Sequence, residues 1–290
     1  GQADEAQRAY TKANELAGAS KDDQARKNPL LSPLSLATRL HRSADAAAAN
    51  LATRDIPARD PHASPQLIDL TPFYNVALTE SWNGGVGHDL SELPRGVQIL
   101  AGVKFDLRGL VQVSVREDTE DKFPVSVPGI VVGRKCQQLH FLHSAVNALT
   151  IPDGTQAGRY VIHYDNGETR EVPVVKGQDL DDWFGTADEA VAKFVVAWRG
   201  ANKTSRRINR NIRLYKTTWA NPLPDVTITS FDFVAMKNAA PFLVAVTSQT
   251  EPTPVIVTQP QTQEVDAGAS VSFKVEVSGS GPWAYQWQLN

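Results

Sequence analysis

The stretch QQLHFLHSAVNA, residues 137–148, places His140 and His143 three apart, and a third histidine, His163, follows in GRYVIHYDNG. Imidazoles this close suggest a shared metal ion or an acid-base pair. The element beneath them decides. On a helix the pair would share a face, whereas on a strand the two point to opposite faces and lie about 10 Å apart by the ~3.3 Å rise per residue. They could not then share an ion at ligand distances of ~2 Å. The neighbours predict a strand with Leu139, Phe141 and His143 on one face and His140 with Cys136 on the other. A structural role is expected for the pair, and a packed or hydrogen-bonded strand position for His163.

Three other runs could carry chemistry. GQDLDDWFG offers Asp179, Asp181 and Asp182 as possible ligands of a structural calcium ion, although the spacing is not that of an EF-hand and a solvated turn uses the same residues. The acidic run REDTEDKF, with Asp118, Glu120 and Asp121, reads as a hairpin tip. Paired carboxylates for glycosidic cleavage could be assembled from either run, but the sequence does not fix their separation. WRGANKTSRRINRNIRLYK concentrates Lys203, Arg206, Arg207, Arg210 and Arg213. Such a loop can grip phosphate, sulfate or an acidic polysaccharide by charge-assisted bonds, or serve simply as a soluble connection. Arg213, inside a strand pattern, is its structural member.

Trp82, Trp183, Trp198 and Trp219 are candidates for stacking on sugar rings. Trp198 shares a strand face with Phe194 and Val196 and is expected in the core, while Trp82 and Trp183, in polar loop-like settings, are expected at the surface. NGGVGHD is glycine-rich but lacks a phosphate-loop lysine and a following helix. G-x-S-x-G and H-E-x-x-H are absent, which lowers the expectation of an enzyme. With one cysteine, neither an intramolecular disulfide nor a multi-thiolate zinc site can form.

The elements that would position these residues fall into segments along 290 residues, enough for a substantial core. Residues 1–54 read as helical: QADEAQRAYTKANELA carries Tyr10, Ala13 and Leu16 at helical spacing, as in a linker, a stalk or one helical repeat. A second helix starts at Ser32 and Pro33, with Leu36, Leu40, Ala44, Ala47 and Leu51 on one stripe. Residues 55–66, with Pro57, Pro61 and Pro65, predict an extended linker. From 67 to 248 the pattern alternates apolar and polar residues between Gly, Pro, Asn and Asp turns. Some ten antiparallel strands are expected, in a sandwich or jelly roll. In FDLRGLVQVSV, Phe105, Leu107, Val111, Val113 and Val115 share one face and Arg108, Gln112, Ser114 and Arg116 the other, so that strand reads as half-buried. DNG in YDNGETREV predicts a tight hairpin. Residues 249–255 form a Pro and Thr linker, and 256–290 an incomplete β unit.

The motifs IDLTPFYN, DLSELPRGVQILAGVKFDLRGL, VGRKCQQLHFLHSA, IRLYKTTWANPLPDVTITSFDFV and APFLVAV resemble a β-sandwich accessory domain of multidomain bacterial proteins, of the galactose-binding-like or jelly-roll kind. The tail, with its QP entry, AGASVSF and YQWQ, resembles the first half of an immunoglobulin-like domain. It carries Val275 where antibody-type domains have cysteine, and Trp287 at the core position. About three strands cannot bury a sandwich core, so this tail is expected to need a partner. The resemblance implies a mainly β protein and a noncatalytic recognition module for a glycan or protein ligand, and it carries over no site residues; Trp82, Trp183, Lys203, Arg206, Arg207 and Arg210 are the candidate contacts from their own chemistry. A carbohydrate-active hydrolase and a purely structural spacer or protein-interaction domain are the alternatives. No cofactor beyond the possible calcium is expected. The net charge of -3 predicts no nucleic-acid partner, and no apolar run is long enough for direct membrane insertion. A fragment of a modular surface or secreted protein, extracytoplasmic and with neighbouring domains, is the expected setting.

Overall fold

The computed structural model describes residues 54–114, 123–186, 194–236, 239–250, 255–278 and 285–288. The predicted N-terminal helices, including Tyr10, Ala13, Leu16, Ser32, Pro33, Leu36, Leu40, Ala44, Ala47 and Leu51, lie outside them. So do Val115, Arg116, Asp118, Glu120 and Asp121.

The chain is mainly β. In order, the strands are β1 Val76–Ala77, β2 Gly96–Leu100, β3 Val103–Leu107, β4 Gly109–Gln112, β5 Ser126–Arg134, β6 Gln138–Val146, β7 Gln156–Tyr164, β8 Thr169–Val175, β9 Phe184–Gly185, β10 Val195–Gly200, β11 Asn211–Ala220, β12 Ile228–Ala235 and β13 Ala240–Gln249, with β14 Val255–Thr258 and β15 Glu276–Ser278 in the tail. A seven-stranded sheet runs β1-β4-β13-β6-β11-β10, with β9 also on β11, and a four-stranded sheet runs β5-β12-β7-β8. All of these ladders are antiparallel. The chain passes between the sheets at β4 to β5, β5 to β6, β6 to β7, β8 to β9, β11 to β12 and β12 to β13. Such alternation builds an antiparallel sandwich in the manner of a jelly roll. The hairpin expected at DNG joins β7 to β8, with Gly167 at φ 86, a left-handed conformation that glycine adopts without strain.

Between the sheets lies an aromatic core. Phe141 stacks on Tyr160 at 4.0 Å between centroids, and Phe231 meets both edge-on. Each such side chain, fully withdrawn from water, contributes roughly 1.5–3 kcal/mol. A second apolar cluster covers the opposite face of the seven-stranded sheet: Leu142, Leu214 and Phe242 from the sheet, Phe105 and Leu107 from the β2–β3 hairpin, and Leu78, Leu90 and Leu93 from the preceding segment. Thr247 Oγ1 donates to Lys104 O at 2.6 Å and Lys216 Nζ to Ala101 O at 2.8 Å, fastening the hairpin to that face. The central strands β6 and β13 are therefore buried on both sides.

This second layer corrects the half-buried reading of FDLRGLVQVSV. The chain breaks at Arg108, Phe105 and Leu107 join the outer cluster while Val111 and Val113 join the inner one, and Arg108, Gln112 and Ser114 are buried as well. Arg108 survives burial because its guanidinium is saturated: it donates to Asp106 at 2.9 Å, Asp69 at 2.8 Å and Thr71 at 2.5 Å, and lies over the Tyr74 ring. Residues 55–66 pack onto the sandwich through Ile56, which joins the inner core, and through Arg59, which donates to Leu67 O and pairs with Asp106.

In the tail, β14 pairs with β15, and Phe273, Tyr285 and Trp287 are exposed. Trp287, at the expected core position, is 60% exposed.

Candidate functional site

The paired histidines divide as the strand register requires. On β6, His143 faces the inner core and His140 the outer layer. His143 is held in a closed chain of hydrogen bonds: Nδ1 lies 2.9 Å from Tyr160 Oη and Nε2 2.9 Å from Thr217 Oγ1, and Thr217 donates to Asp179 O at 3.1 Å. Because Thr217 spends its proton on that carbonyl, His143 donates from Nε2 and accepts the Tyr160 hydroxyl proton at Nδ1, which assigns the neutral tautomer. Burial drives its pKa down to about 3. His140 bridges Thr218 at 2.8 Å and Gln249 at 2.7 Å. Both imidazoles are saturated, His140 by the neighbouring strands β11 and β13 and His143 by Thr217 on β11 and by Tyr160 across the core. Cys136, expected on the His140 face, precedes the strand and lies in the inner core instead, where burial pushes its thiol up to about 11. His163 is hydrogen-bonded on its strand, to Asp232 at 2.9 Å.

The acidic run folds as a strap along the sheet end, and its three carboxylates turn to different partners. Asp179 accepts from Val175 N at 2.8 Å, and Asp181 faces Lys176 Nζ at 3.4 Å. Asp182 is buried and accepts from Ala148 N at 2.7 Å and Phe184 N at 2.8 Å, and desolvation raises its pKa to about 6. Among the described residues, no three His, Cys, Asp or Glu side chains gather as a metal site.

The tryptophans correct two expectations. Trp183 is 1% exposed rather than at the surface. Its backbone N–H docks on Ala145 O at 2.9 Å, drawing the indole into the outer cluster beside Phe184, Trp82 and Phe242. Trp82 is half-buried, with Nε1 donating to Gln112 at 3.0 Å. Trp198 leaves the face of Phe194 and Val196, because a bulge between Val196 and Trp198 turns the indole to the outer cluster, over Gly200. A Cβ on residue 200 would come within 2.2 Å of that ring. Trp219 is half-buried against the inner core.

That glycine leads into the basic run, which is a short helix, Lys203–Arg207, rather than a plain loop. Asn202 and Ser205 form a reciprocal cap, each accepting the other's backbone N–H at 2.8 Å. Asn202 Nδ2 also donates to Asp89 O at 3.0 Å, and Asn209, at φ 51, turns the chain back into β11. Glu92 spans the base of this knuckle. One of its carboxylate oxygens accepts from Ala201 N at 2.7 Å and the other pairs with Arg206. Lys203 and Arg207 lie four apart on the helix, a like-charge spacing that costs a few tenths of a kcal/mol. Lys203, Arg206 and Arg207 are exposed and Arg210 is half-buried. Lys203, Arg207 and Arg210 form no ion pair among the described residues. The frame therefore holds a group of cations rigidly by their backbone while leaving their heads in water. Arg213 belongs to the interior: it donates to Asn211 at 3.0 Å and to Thr186 O, with its guanidinium against Gly185.

Asn202 and Ser205 are foreshadowed by the N-x-x-S spacing. Glu92, more than a hundred residues upstream, has no local signal.

An open cleft of about 410 Å³ is lined by Arg54, Asp55, Ala77, Thr79 and Glu80. Both of its carboxylates are taken: Glu80 pairs with Arg54, and Asp55 meets Arg95 at 2.6 Å and Thr79 at 3.1 Å. The bond from Arg95 holds Asp55 below the usual carboxylate range.

No helix among the described residues is long and apolar enough to cross a membrane. Comparison with known proteins finds no matching family model, no similar curated protein and no similar solved structure.

Proposed function

We propose that the chain is a noncatalytic recognition module whose ligand is an acidic polysaccharide, bound along the basic knuckle formed by Lys203, Arg206, Arg207 and Arg210. The observation that carries this reading is the combination of a capped, anchored backbone with solvent-facing cations, three of them without a protein counter-ion among the described residues. A single exposed ion pair is worth only about 0.2–1 kcal/mol. A polyanion repeats its charge along the chain, engages several cations at once, and gains by effective concentration what no single contact supplies. The alternative role as a glycosidic hydrolase needs two carboxyl groups free to face the sugar, and in the cleft both are held in ion pairs, Glu80 with Arg54 and Asp55 with Arg95. The exposed aromatic residues of the tail fit an immunoglobulin-like neighbour in a modular surface or secreted protein.

Affinity electrophoresis tests the reading. Retardation is expected in gels containing polygalacturonate or dextran sulfate but not in neutral dextran, weakening with salt as the Debye length shrinks. The triple variant Lys203→Gln/Arg207→Gln/Arg210→Gln should migrate as if no polysaccharide were present. Equal migration of the wild type with and without acidic polysaccharide overturns the reading and favours a protein partner or a spacer.

A further inference from the structure

The base of the knuckle already holds a carboxylate. Glu92 places one oxygen on the Ala201 N–H at 2.7 Å and the other on the Arg206 guanidinium, so a backbone donor and a guanidinium are spaced to receive the two oxygens of one planar carboxyl group. Glu92 arrives from the turn before β2 and is itself 36% exposed, and Arg206 is 62% exposed, so the contact is open to solvent at one side. Lys203 and Arg207 in the same helix and Arg210 just beyond it form no ion pair among the described residues.

We propose that Glu92 is a built-in competitor at a carboxylate subsite, and that the ligand group this subsite takes is a uronate of an acidic polysaccharide. The inference rests on the recognition reading above. Guanidinium and N–H here already hold the two oxygens of a carboxylate, and a uronate carboxyl presents the same pair of oxygens at the same separation. Ligand binding must displace Glu92 from Arg206, so the affinity of the knuckle is set by the difference between two similar ion pairs. Arg206 is then the specificity-determining residue, and Lys203, Arg207 and Arg210 supply general attraction.

The test is affinity electrophoresis of the full chain in polygalacturonate and, separately, in dextran sulfate. In Glu92→Gln the amide oxygen can still accept the Ala201 N–H, so the turn is retained while Arg206 is released. Its affinity for polygalacturonate should rise about two- to fivefold, the range set by breaking one exposed ion pair. Asp225→Asn makes the same change in net charge on an exposed turn beyond the far end of β11 and should leave the affinity unchanged. Arg206→Gln should lower uronate affinity more than sulfate affinity, and should abolish the gain from Glu92→Gln in the double variant. Wild-type binding that depends on Lys203, Arg207 and Arg210 but is unaltered by Glu92→Gln overturns the competitor while leaving the recognition reading intact. Absence of binding by both the wild type and Glu92→Gln overturns both. A thermal melt of each variant confirms that a loss of binding is not a loss of fold.

Discussion

The two sheets of the sandwich treat polar residues in opposite ways. The seven-stranded sheet is covered on both faces along its central strands, and the buried polar side chains there and at the β3–β4 junction are hydrogen-bonded: His140, His143, Gln112 and Arg108 each reach at least two partners. The four-stranded sheet has one face in the core and the other open, where His163, Asp232, Arg159 and Glu171 sit at partial exposure. Residues of the same type therefore differ in weight. On the covered sheet a polar group must be fully satisfied or it costs its desolvation, whereas on the open face water substitutes for a lost partner. This also explains why the most suggestive histidine pair is the least available for chemistry.

Paired arginine substitutions should break the comparison most visibly. Arg108→Ala removes a buried guanidinium and leaves Asp106, itself 8% exposed, with only Arg59 at 3.3 Å. Loss of one partner from a buried ionic network costs about 3–5 kcal/mol. Arg159→Ala, whose guanidinium lies 3.6 Å from Glu171 on the open face, should cost less than about 1 kcal/mol. Urea unfolding monitored by tryptophan fluorescence measures both. Equal losses would mean that the outer layer does not exclude water from Arg108.

The histidine chain gives the next largest effect. His143→Phe keeps a ring of similar size but leaves the Tyr160 hydroxyl buried without its acceptor, at a cost of about 1–3 kcal/mol. Adding Tyr160→Phe should recover much of that loss, because removing both polar partners costs less than orphaning one. A double variant less stable than His143→Phe alone would show that ring packing, not hydrogen bonding, dominates the site.

Acid titration sharpens the same point. His143 is held neutral with its pKa lowered from 6.5 to about 3, so below pH 6.5 the unfolded chain binds the extra proton and this residue's contribution falls as pH falls. Asp182 is raised from 3.8 to about 6, so between those values the folded chain binds the extra proton and its contribution rises as pH falls. Between about pH 4 and 6 the two slopes oppose, each worth about 1.4 kcal/mol per pH unit. In that window Asp182→Asn should lose stability on acidification more steeply than the wild type by about one proton, and His143→Phe should shift the slope by one proton the other way. Chemical denaturation at half-unit pH steps reads both. Parallel pH profiles for all three proteins would remove the burial of these two groups as the cause.

Much of the sandwich was legible because its strands carry local signals. The alternation around Tyr160 and Ile162, the DNG turn and the apolar APFLVAV each depend on a few neighbouring residues. The β6 register followed from the period of two alone, and with it the separation of His140 from His143. What was hidden depends on distant contacts. Nothing near Trp183 announces that Ala145 will draw it inward, and the bulge that turns Trp198 away from Val196 has no residue signature in VVAWRG. The second covering layer, built from Leu78 to Leu107, cannot be read from β6, whose mixed polar and apolar sequence looks half-exposed until the partners of each polar group are known. The basic run was recognisable as charge and its cap is local, but the contact that anchors the cap to the fold, Asn202 to Asp89 O, joins distant residues, and Glu92 also lies far away in sequence.

The smallest effect is expected on the open face. Asp232 accepts from His163 at 2.9 Å and from Gly129 N at 2.9 Å, so it ties β7, β12 and the bulged edge strand β5 together. Both side chains remain about a third exposed, at 34% and 27%, and water can replace either partner. His163→Gln should therefore cost well under 1 kcal/mol, and a double-mutant cycle with Asp232→Asn should return a coupling of about 0.2–1 kcal/mol at most. Asp232→Asn alone should be the more costly of the two single changes, because it weakens the acceptor that holds the Gly129 bulge as well as the imidazole. A coupling of several kcal/mol would mean that the outer face of the four-stranded sheet is covered in solution, and the distinction between the two sheets would fall with it.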